Sequence, residues 1–319
     1  MSRASIIIPV YNSEEFICSA VESALAQRYK DKEVIVVDDG STDGTCKALG
    51  PYREKGEITY IRQENSGPSG ARNAGFLNAG GCSMTFLDAD DILDADYLPS
   101  VTAFLEDYPM VDFVFTNYEV FNNHEVVSRS GVDRWKAFRS IPHVKLGQRK
   151  RIFLESLTKY IIGYGGFMTT SCVTIRRRRL DREGMFRTGY FYGEDDEFFA
   201  RINYTCKAGY IDRVLLRKRS HAGSLSHDRE KILRNVSHFI GLAEIQKSYF
   251  SRDREIQDIL RRKIPALVFD YCWHLIDRKR FGEAQDVLCR YLKQYKKALP
   301  LYKLLVKSYL SGLYCQSGS

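Results

Sequence analysis

The stretch Thr85-Phe86-Leu87-Asp88-Ala89-Asp90-Asp91 decides the fold of this chain. A short apolar strand runs directly into three carboxylates that lie within four residues of one another. Two carboxylates at an i, i+2 spacing on a turn can converge on one hard cation, and such oxygen ligands suit Mg²⁺ or Mn²⁺ shared with substrate phosphates. An isolated Asp-x-Asp is more often a solvated acidic loop, so the surrounding elements have to decide between the two interpretations.

The first hundred residues alternate between strands and helices. Continuous apolar runs predict strands buried on both faces, at Ser5–Val10, Glu33–Val37, Ile58–Ile61 and Ser83–Leu87. Helices are predicted between them, the first capped by Asn12 or Ser13 and the third running from about Ala71 to Asn78. This order predicts a parallel, doubly wound sheet with right-handed crossovers.

Polar clusters follow three of these strands, beginning at Pro9, Asp38 and Asp88. In doubly wound sheets, ligands bind beyond the carboxyl ends of the strands. The three clusters are therefore expected to line one crevice, which favours a site over a chance acidic loop.

Composition indicates an ordinary globular protein. The chain has 319 residues, of which 44% are hydrophobic and 28% charged, enough for one large core with an appendage. No apolar run is long enough to span a bilayer, and the N-terminus shows no signal peptide. The eight cysteines have at least sixteen residues between neighbours, which excludes a Cys-x-x-Cys pair and predicts reduced thiols in a cytoplasmic protein.

The net charge of +8 is unevenly distributed. Residues 1–227 hold 30 Lys and Arg against 30 Asp and Glu, whereas residues 228–319 hold 18 against 10. This difference predicts a neutral catalytic domain over residues 1–227 and a basic, α-helical region over residues 228–319.

Three segments of the second half carry candidate functional groups. In the helix predicted from residue 194, Asp195 shares a face with Phe198 and Ile202 and is expected to point into the protein. Glu197 and Arg201 are predicted to be a surface ion pair. The run Arg176-Arg177-Arg178-Arg179 predicts a solvated corner between a strand and a helix. A helix is predicted near residues 152–162. His221 stands alone on a loop.

Five segments resemble family 2 glycosyltransferases, which have the GT-A nucleotide-sugar-binding fold. They occur in the family's order over about residues 4–227: SIIIPVYN (5–12), VVDDGSTDGT (36–45), NSGPSGARNAG (65–75), FLDADD (86–91) and GEDDEF (193–198). The resemblance implies a mostly parallel doubly wound sheet, a nucleotide-sugar donor and inversion at the anomeric carbon. The last 90 or so residues resemble no family that we can name.

The resemblance also implies roles for individual residues. The implied nucleotide-sugar site comprises Pro9, Tyr11, Asp38, Asp39, Arg72, Asp88, Ala89 and Glu194. Asp39 would accept a hydrogen bond from uracil N3–H. Asp90 would ligate the divalent metal, Mn²⁺ or Mg²⁺, and His221 lies where some members place a further metal or diphosphate contact. Asp195 would be the general base.

Together these features predict a metal-dependent, inverting transferase that moves a sugar from a nucleotide-sugar, expected to be a UDP-sugar, to a hydroxyl of a glycan or lipid-linked acceptor in cell-surface polysaccharide synthesis. The alternative is an inactive sugar-binding module of the same fold. A nicotinamide-dependent oxidoreductase is set aside, because Pro9–Ser13 replaces the glycine-rich turn that such enzymes need after the first strand.

Three interpretations remain for the basic helices. Nucleic-acid binding is disfavoured because the Lys and Arg residues are scattered among acids. A plain helical appendage is one alternative. The other is peripheral contact with anionic lipid at the inner face of the cell membrane, through the clusters Arg261–Lys263 and Arg278–Arg280.

Overall fold

An eleven-stranded mixed sheet forms the core of the computed structural model. The structure describes residues 3–122, 125–132, 135–190, 193–221 and 229–316. The strands are β1 (Ala4–Val10), β2 (Lys32–Asp38), β3 (Thr59–Arg62), β4 (Ser83–Phe86), β5 (Ile92–Leu93), β6 (Val111–Asn122), β7 (Glu125–Ser128), β8 (His143–Leu146), β9 (Lys150–Phe153), β10 (Val173–Arg176) and β11 (Lys207–Arg219). Their order in the sheet is β3-β2-β1-β4-β10-β6-β11-β9-β8, with β5 paired to β11 and β7 to β6.

The helices that accompany the sheet are α1 (Ile17–Leu25), α2 (Thr45–Ala48), α3 (Gly50–Glu54), α4 (Gly67–Asn78), α5 (Tyr97–Asp107), α6 (Lys136–Arg139), α7 (Thr158–Tyr164), α8 (Arg177–Glu183) and α9 (Glu194–Asn203). The later helices are α10 (Arg229–Tyr249), α11 (Arg254–Asp277), α12 (Phe281–Gln294) and α13 (Leu299–Gln316).

The four strands predicted from apolar runs pair in parallel, as expected. β1 lies between β2 and β4, with Ile7 opposite Ile35 on one side and Phe86 on the other. Both faces of β1 are buried, which is why its sequence is continuously apolar rather than alternating. Beyond β4 the sheet becomes mixed, because β10 is antiparallel to both β4 and β6. The predicted GT-A fold is confirmed, but the sheet is mixed and not mostly parallel as expected, because the apolar runs do not reveal the antiparallel pairs beyond β4.

The first helix begins later than predicted. Asn12 and Ser13 do not cap it, since α1 begins at Ile17 and Phe16 in the cap position makes no side-chain hydrogen bond. Asn12 has φ +47°, and its Oδ1 accepts from the backbone N–H of Thr42 at 2.8 Å. These polar groups bind the loop after β2 instead of the helix.

The helix predicted near residues 152–162 is also wrong over its first part. Lys150–Phe153 forms β9, and Ile152 pairs with Gly209 of β11. Helix α7 begins only at Thr158. The prediction failed because pairing with a distant strand overrides local helix preference.

The chain divides into two compact units, Met1–Tyr190 with Glu194–Ala222, and Phe191–Gly193 with Gly223–Ser319. The predicted domain boundary at residues 227 and 228 falls outside the described residues. In the second unit, α11 buries Leu260, Ile264, Val268 and Cys272, one on each successive turn of the helix. Among the described residues, no helix is both long and apolar enough to cross a membrane.

Candidate active site

Two adjacent carboxylates at the end of β2 fix the loops around the predicted crevice. Asp38 Oδ2 accepts from the Tyr60 hydroxyl at 2.6 Å, and its Oδ1 accepts from the Ser41 N–H at 2.8 Å. Although burial acts to raise it, these hydrogen bonds hold the pKa of Asp38 below its usual value. Asp39 Oδ2 accepts from the N–H of Gly67 at 2.8 Å, so it anchors the start of α4.

Arg72 joins two parts of the chain that are far apart in sequence. Its Nη2 donates to Asp88 Oδ1 at 2.9 Å, and its Nη1 donates to Glu194 Oε1 at 3.1 Å. The guanidinium also lies 5.1 Å from the ring centre of Phe186. Burial opposes the ionisation of Asp88, but Arg72 holds its pKa below the usual value. The Arg72 side chain is only 5% exposed, so this linkage fixes the first residue of α9 beside the end of β4.

Asp90 and His221 form a second link beside the first. His221 Nε2 lies 3.1 Å from Asp90 Oδ2, and the imidazole packs on Phe16 with ring centres 4.7 Å apart. Among the described residues, no group of three or more His, Cys, Asp or Glu side chains could hold a metal ion. A divalent cation still fits this pair, because Mg²⁺ and Mn²⁺ sites commonly take one or two protein ligands and complete their shell with substrate phosphates and water.

Asp91 is buried and structural. Its Oδ2 accepts from the Ser171 hydroxyl at 2.7 Å and its Oδ1 from the N–H of Arg219 at 3.0 Å. Burial, together with the Asp90 and Asp88 carboxylates, raises its pKa to about 7. These contacts make Asp91 a support of the turn after β4.

Lys218 places a partly buried cation near these carboxylates. Its Nζ lies 3.3 Å from Thr169 Oγ1. Burial acts to lower the pKa of Lys218, but Asp91, Asp88 and Asp90 raise it above the usual value. The ammonium therefore stays charged and balances part of the negative charge at the end of β4.

Asp195 lies in the first turn of α9, next to Glu194. Burial raises its pKa to about 8, and the carboxylates of Asp196 and Glu194 act in the same direction, while Arg72 opposes them. The N–H of Asp196 donates to Asp195 Oδ1 at 2.9 Å. A carboxylate with a raised pKa is the kind of group that serves as a general base near neutral pH.

The sequence model of glycosyl transferase family 2 matches residues 5–184, more than half of the chain. The chain belongs to glycosyl transferase family 2. All the strand-end carboxylates described above lie inside the matched range, while α9 and His221 lie beyond it.

Two curated relatives illustrate the family. The chain is 38% identical over 124 residues to "Glycosyltransferase GlyA" of Streptococcus pneumoniae, a match that covers 39% of this chain and 18% of that protein. It is 30% identical over 248 residues to WfaP of Escherichia coli, a match that covers 76% of this chain and 88% of WfaP. The chain thus spans about a fifth of the first relative and most of the second.

Two solved structures share the fold. S. aureus TarS 1-349 in complex with UDP-GlcNAc has a TM-score of 0.61 at 19% identity, covering 99% of this chain and 92% of that chain. The mannosyltransferase PcManGT from Pyrobaculum calidifontis, in complex with GDP-Man and Mn²⁺, has a TM-score of 0.55 at 18% identity. The match covers 98% of this chain and 87% of that chain. At these identities the likeness concerns the fold alone.

The structure brings most of the site residues predicted for family 2 to the same end of the sheet. Pro9 lies buried within β1, opposite Val37, and Ala89 is buried directly after β4. Tyr11 is 49% exposed just beyond β1, as expected of a side chain available to a ligand. The roles assigned to these residues remain predictions.

One predicted surface pair is wrong. Glu197 and Arg201 are each 4% exposed, with Arg201 Nε donating to Glu197 Oε1 at 2.8 Å. Arg201 also donates to the carbonyl oxygens of Glu183, Gly184 and Met185. The pair is buried because the segment before Phe186 packs over it. The i, i+4 spacing within the helix does not reveal this contact with another segment.

The arginine corner is only partly solvated. Arg178 is exposed and binds Asp112, but Arg179 is 4% exposed and donates to the Ile202 carbonyl oxygen at 3.3 Å. Burial of Arg179 follows from α8 packing on α9, a contact between segments that local sequence does not specify.

Sequence reasoning missed Lys218 and Ser171. Strand β11 continues beyond the apolar residues Val214–Leu216 and ends at Arg219. Because residues i and i+2 of a strand share a face, Lys218 lies on the same face of β11 as the buried Leu216, and this alternation could have identified it. For Ser171 no local signal exists, because a short 3-10 turn sets its contact with Asp91.

Proposed function

We propose that this family 2 protein is a metal-dependent, inverting glycosyltransferase that moves a sugar from a UDP-sugar to a hydroxyl of a glycan or lipid-linked acceptor. The observation that carries the proposal is the double ion pair of Arg72. By binding both Asp88 and Glu194, it puts the helix of Asp195 against the carboxylates at the end of β4.

The donor proposal rests on the loop chemistry and on the relatives. Tyr11, Asp39 and Arg72 would bind the nucleotide, and Asp88 would approach the ribose. WfaP is named a UDP-Glc:alpha-D-GlcNAc-diphosphoundecaprenol beta-1,3-glucosyltransferase, and TarS was solved with UDP-GlcNAc. A UDP-sugar is therefore the donor class to test first. Epimers differ by one or two hydroxyl contacts, which the loops alone do not specify.

In the reaction, Asp195 takes the proton of the attacking acceptor hydroxyl. The carboxylate must be ionised to do so, and its raised pKa makes it a stronger base than an exposed aspartate. A single base opposite the leaving group corresponds to direct displacement of the nucleoside diphosphate by the acceptor hydroxyl. Direct displacement inverts the configuration at the anomeric carbon. Positioned proton transfer of this kind contributes roughly 10²–10⁴-fold to the rate.

Asp90 and His221 would hold the divalent cation, which when bound neutralises charge on the departing diphosphate. The protein's own part is to orient these two ligands. The backbone carbonyl of Asp90 accepts from Arg219 Nε at 3.1 Å, and Phe16 packs against the imidazole. We propose Mn²⁺ or Mg²⁺ as the cation.

The proposed acceptor class is supported by WfaP, whose named acceptor is a diphosphoundecaprenol-linked sugar. We extend the proposal to a comparable lipid-linked or glycan acceptor of cell-surface polysaccharide, used at the cytoplasmic side of the membrane. The basic helical unit would be the part of the chain that contacts the membrane.

A panel of nucleotide sugars tests the donor. With Mn²⁺ present, we expect one UDP-sugar to raise the melting temperature most, since a ligand stabilises the folded state in proportion to its affinity and concentration. Release of UDP from that donor, with and without Mn²⁺, then tests activity in the wild type and Asp195→Asn. Equal rates in the two proteins would refute the role of Asp195.

An inactive sugar-binding module of the same fold is the alternative. It would show the same thermal shift but no Mn²⁺-dependent release of UDP with any acceptor. The presence of a partly buried Asp195 whose pKa is raised, close to Arg72, favours the enzyme, because such a carboxylate lowers stability at neutral pH and a binding module does not need it.

A further inference from the structure

A groove of about 840 Å³ lies on the C-terminal helical unit, between the middle of α11 and the connection from α12 to α13. Pro265 and Phe269 of α11 and Leu301 of α13 form its apolar side. This volume falls within the range of roughly 300–1,000 Å³ that is typical of sites for individual small molecules. None of the catalytic residues proposed above belongs to it.

The groove is lined by cations and by no carboxylate. All its lining residues are described, and none is Asp or Glu; the cations are Lys247, Arg261, Arg262, Lys296 and Lys297. The Lys247 ammonium donates to the Tyr295 hydroxyl at 2.9 Å, and Arg261 pairs with Asp258 at 2.9 Å.

The other three cations are available to an anion. Within the described part of the chain, Arg262, Lys296 and Lys297 take part in no ion pair, and all three are exposed. Three cations at one end of an apolar groove complement a phosphate group attached to an apolar body.

An exposed apolar stripe on α13 adjoins the groove. Leu299, Tyr302, Val306 and Tyr309 follow a spacing of three, four and three, which places them on one face of the helix. They are 61%, 41%, 59% and 50% exposed. Large apolar side chains in a continuous exposed row mark an interaction surface rather than a solvated one.

A second cavity of about 330 Å³ joins the groove to the stripe. It shares Phe269 and Pro300 with the groove and is also lined by Trp273, Leu299 and Lys303. Trp273 is 43% exposed. Exposed aromatic side chains alternating with lysines are the composition of protein surfaces that lie at the headgroup level of a bilayer.

We propose that this surface binds an anionic phospholipid of a membrane, with the lipid phosphate on Arg262, Lys296 and Lys297 and the α13 stripe in the headgroup layer. The proposal gives a location to the membrane contact suggested above. It rests on the geometry of the helical unit and not on which sugar is transferred, so the two proposals can fail separately.

A second copy of the chain is a poorer occupant of the same surface. In a two-fold dimer the same patch faces itself, so the cations of one copy would meet those of the other. With no carboxylate in the groove, the like charges would remain unbalanced and oppose association.

Vesicle flotation of the full chain tests the proposal. We expect binding to vesicles of phosphatidylcholine with phosphatidylglycerol and little binding to phosphatidylcholine alone. The double variant Lys296→Gln/Lys297→Gln should lower the partition coefficient about 25-fold, since each basic residue near an anionic surface contributes roughly fivefold. The matched control Arg278→Gln/Lys279→Gln removes the same charge from the other basic cluster, which does not line the groove.

Further measurements separate this site from a general charge effect and from dimerisation. Tyr302→Ser/Val306→Ser should also weaken vesicle binding, while UDP release without membranes stays at the wild-type rate and shows that the protein is folded. Equal loss in the lysine pair and its control would overturn the site. So would light scattering that shows a dimer broken by the stripe variant.

Discussion

Oδ2 of Asp90 and Nε2 of His221 lie 3.1 Å apart, although 131 residues separate them along the chain. Asp90 follows β4, and His221 follows β11, two strands that are not neighbours in the sheet. A carboxylate and an imidazole brought together from such distant segments are two side chains of the types that bind one divalent cation.

We therefore expect His221→Ala to raise the Mn²⁺ concentration needed for half-maximal UDP release by roughly 10–100-fold, the range found when even a supporting group of a metal site is lost. A Mn²⁺ titration of the rate, with direct Mn²⁺ binding measured by electron paramagnetic resonance, checks this. His143→Ala on β8 is the control. If both variants respond to Mn²⁺ as the wild type does, His221 is not a ligand.

The pH dependence of activity should reflect Asp195. Its pKa is about 8 in the free protein, and only the carboxylate can accept a proton, so kcat/KM should fall about tenfold per pH unit below pH 8. Because the Asp196 carboxylate raises this pKa, Asp196→Asn should shift the acidic limb to lower pH. The exposed Asp181→Asn should leave the profile unchanged. An unshifted profile in Asp196→Asn would contradict the assignment.

Removal of the partly buried cation at Lys218 should destabilise the fold in a pH-dependent way. Lys218→Met leaves Asp88 and Asp91 without a neighbouring positive charge, and a buried polar group left unbalanced costs about 1–3 kcal/mol. The folded-state pKa of Asp91, already raised, then rises further, and that of Asp88 rises from below its usual value, so the deficit is largest at neutral or higher pH and shrinks as pH falls.

Urea unfolding at pH 7.5 and at pH 5.5 measures this difference. Lys207→Met, at the exposed start of the same strand, is the matched control and should change stability little. A deficit of the same size at both pH values would mean that Lys218 acts through packing and not through its charge.

The buried Glu197–Arg201 pair predicts a further loss of stability. Arg201→Met should lower the free energy of unfolding by about 3 kcal/mol, because it removes the 2.8 Å partner of the buried Glu197 carboxylate and leaves only the longer 3.5 Å contact with the more exposed Arg187. The double variant Glu197→Leu/Arg201→Met should recover part of that loss. Denaturant unfolding checks both, with the exposed Arg182→Met as a control. A double variant less stable than Arg201→Met alone would show that the unpaired carboxylate is not the cause.

Much of the fold could be predicted because it depends on local patterns. The apolar runs that form β1, β2 and β4 and the amphipathic helices α11 and α12 follow from hydrophobic periodicity, which a single segment displays by itself. Helix α1 and strand β9 could not be predicted correctly. Asn12 binds the loop after β2, and Ile152 pairs with Gly209, so distant partners decided both.

The site shows the same division. Asp88, Asp90 and Asp195 could be chosen from the sequence, because a carboxylate at the end of a buried strand or on the apolar face of a helix is recognisable within its own segment. Lys218, Ser171 and the buried Arg201 could not, since each matters through a contact with a segment far away in the chain.

The sequence by itself determined that the Thr85–Asp91 stretch ends a buried strand with carboxylates, and that similar clusters follow neighbouring strands. Only the tertiary structure decided which partner each carboxylate has: Asp88 binds Arg72, Asp90 faces His221, and Asp91 is held by Ser171. The physical reason is that hydrophobic periodicity fixes where strands and helices form, whereas the state of a buried charge depends on partners that only folding brings within a few ångströms.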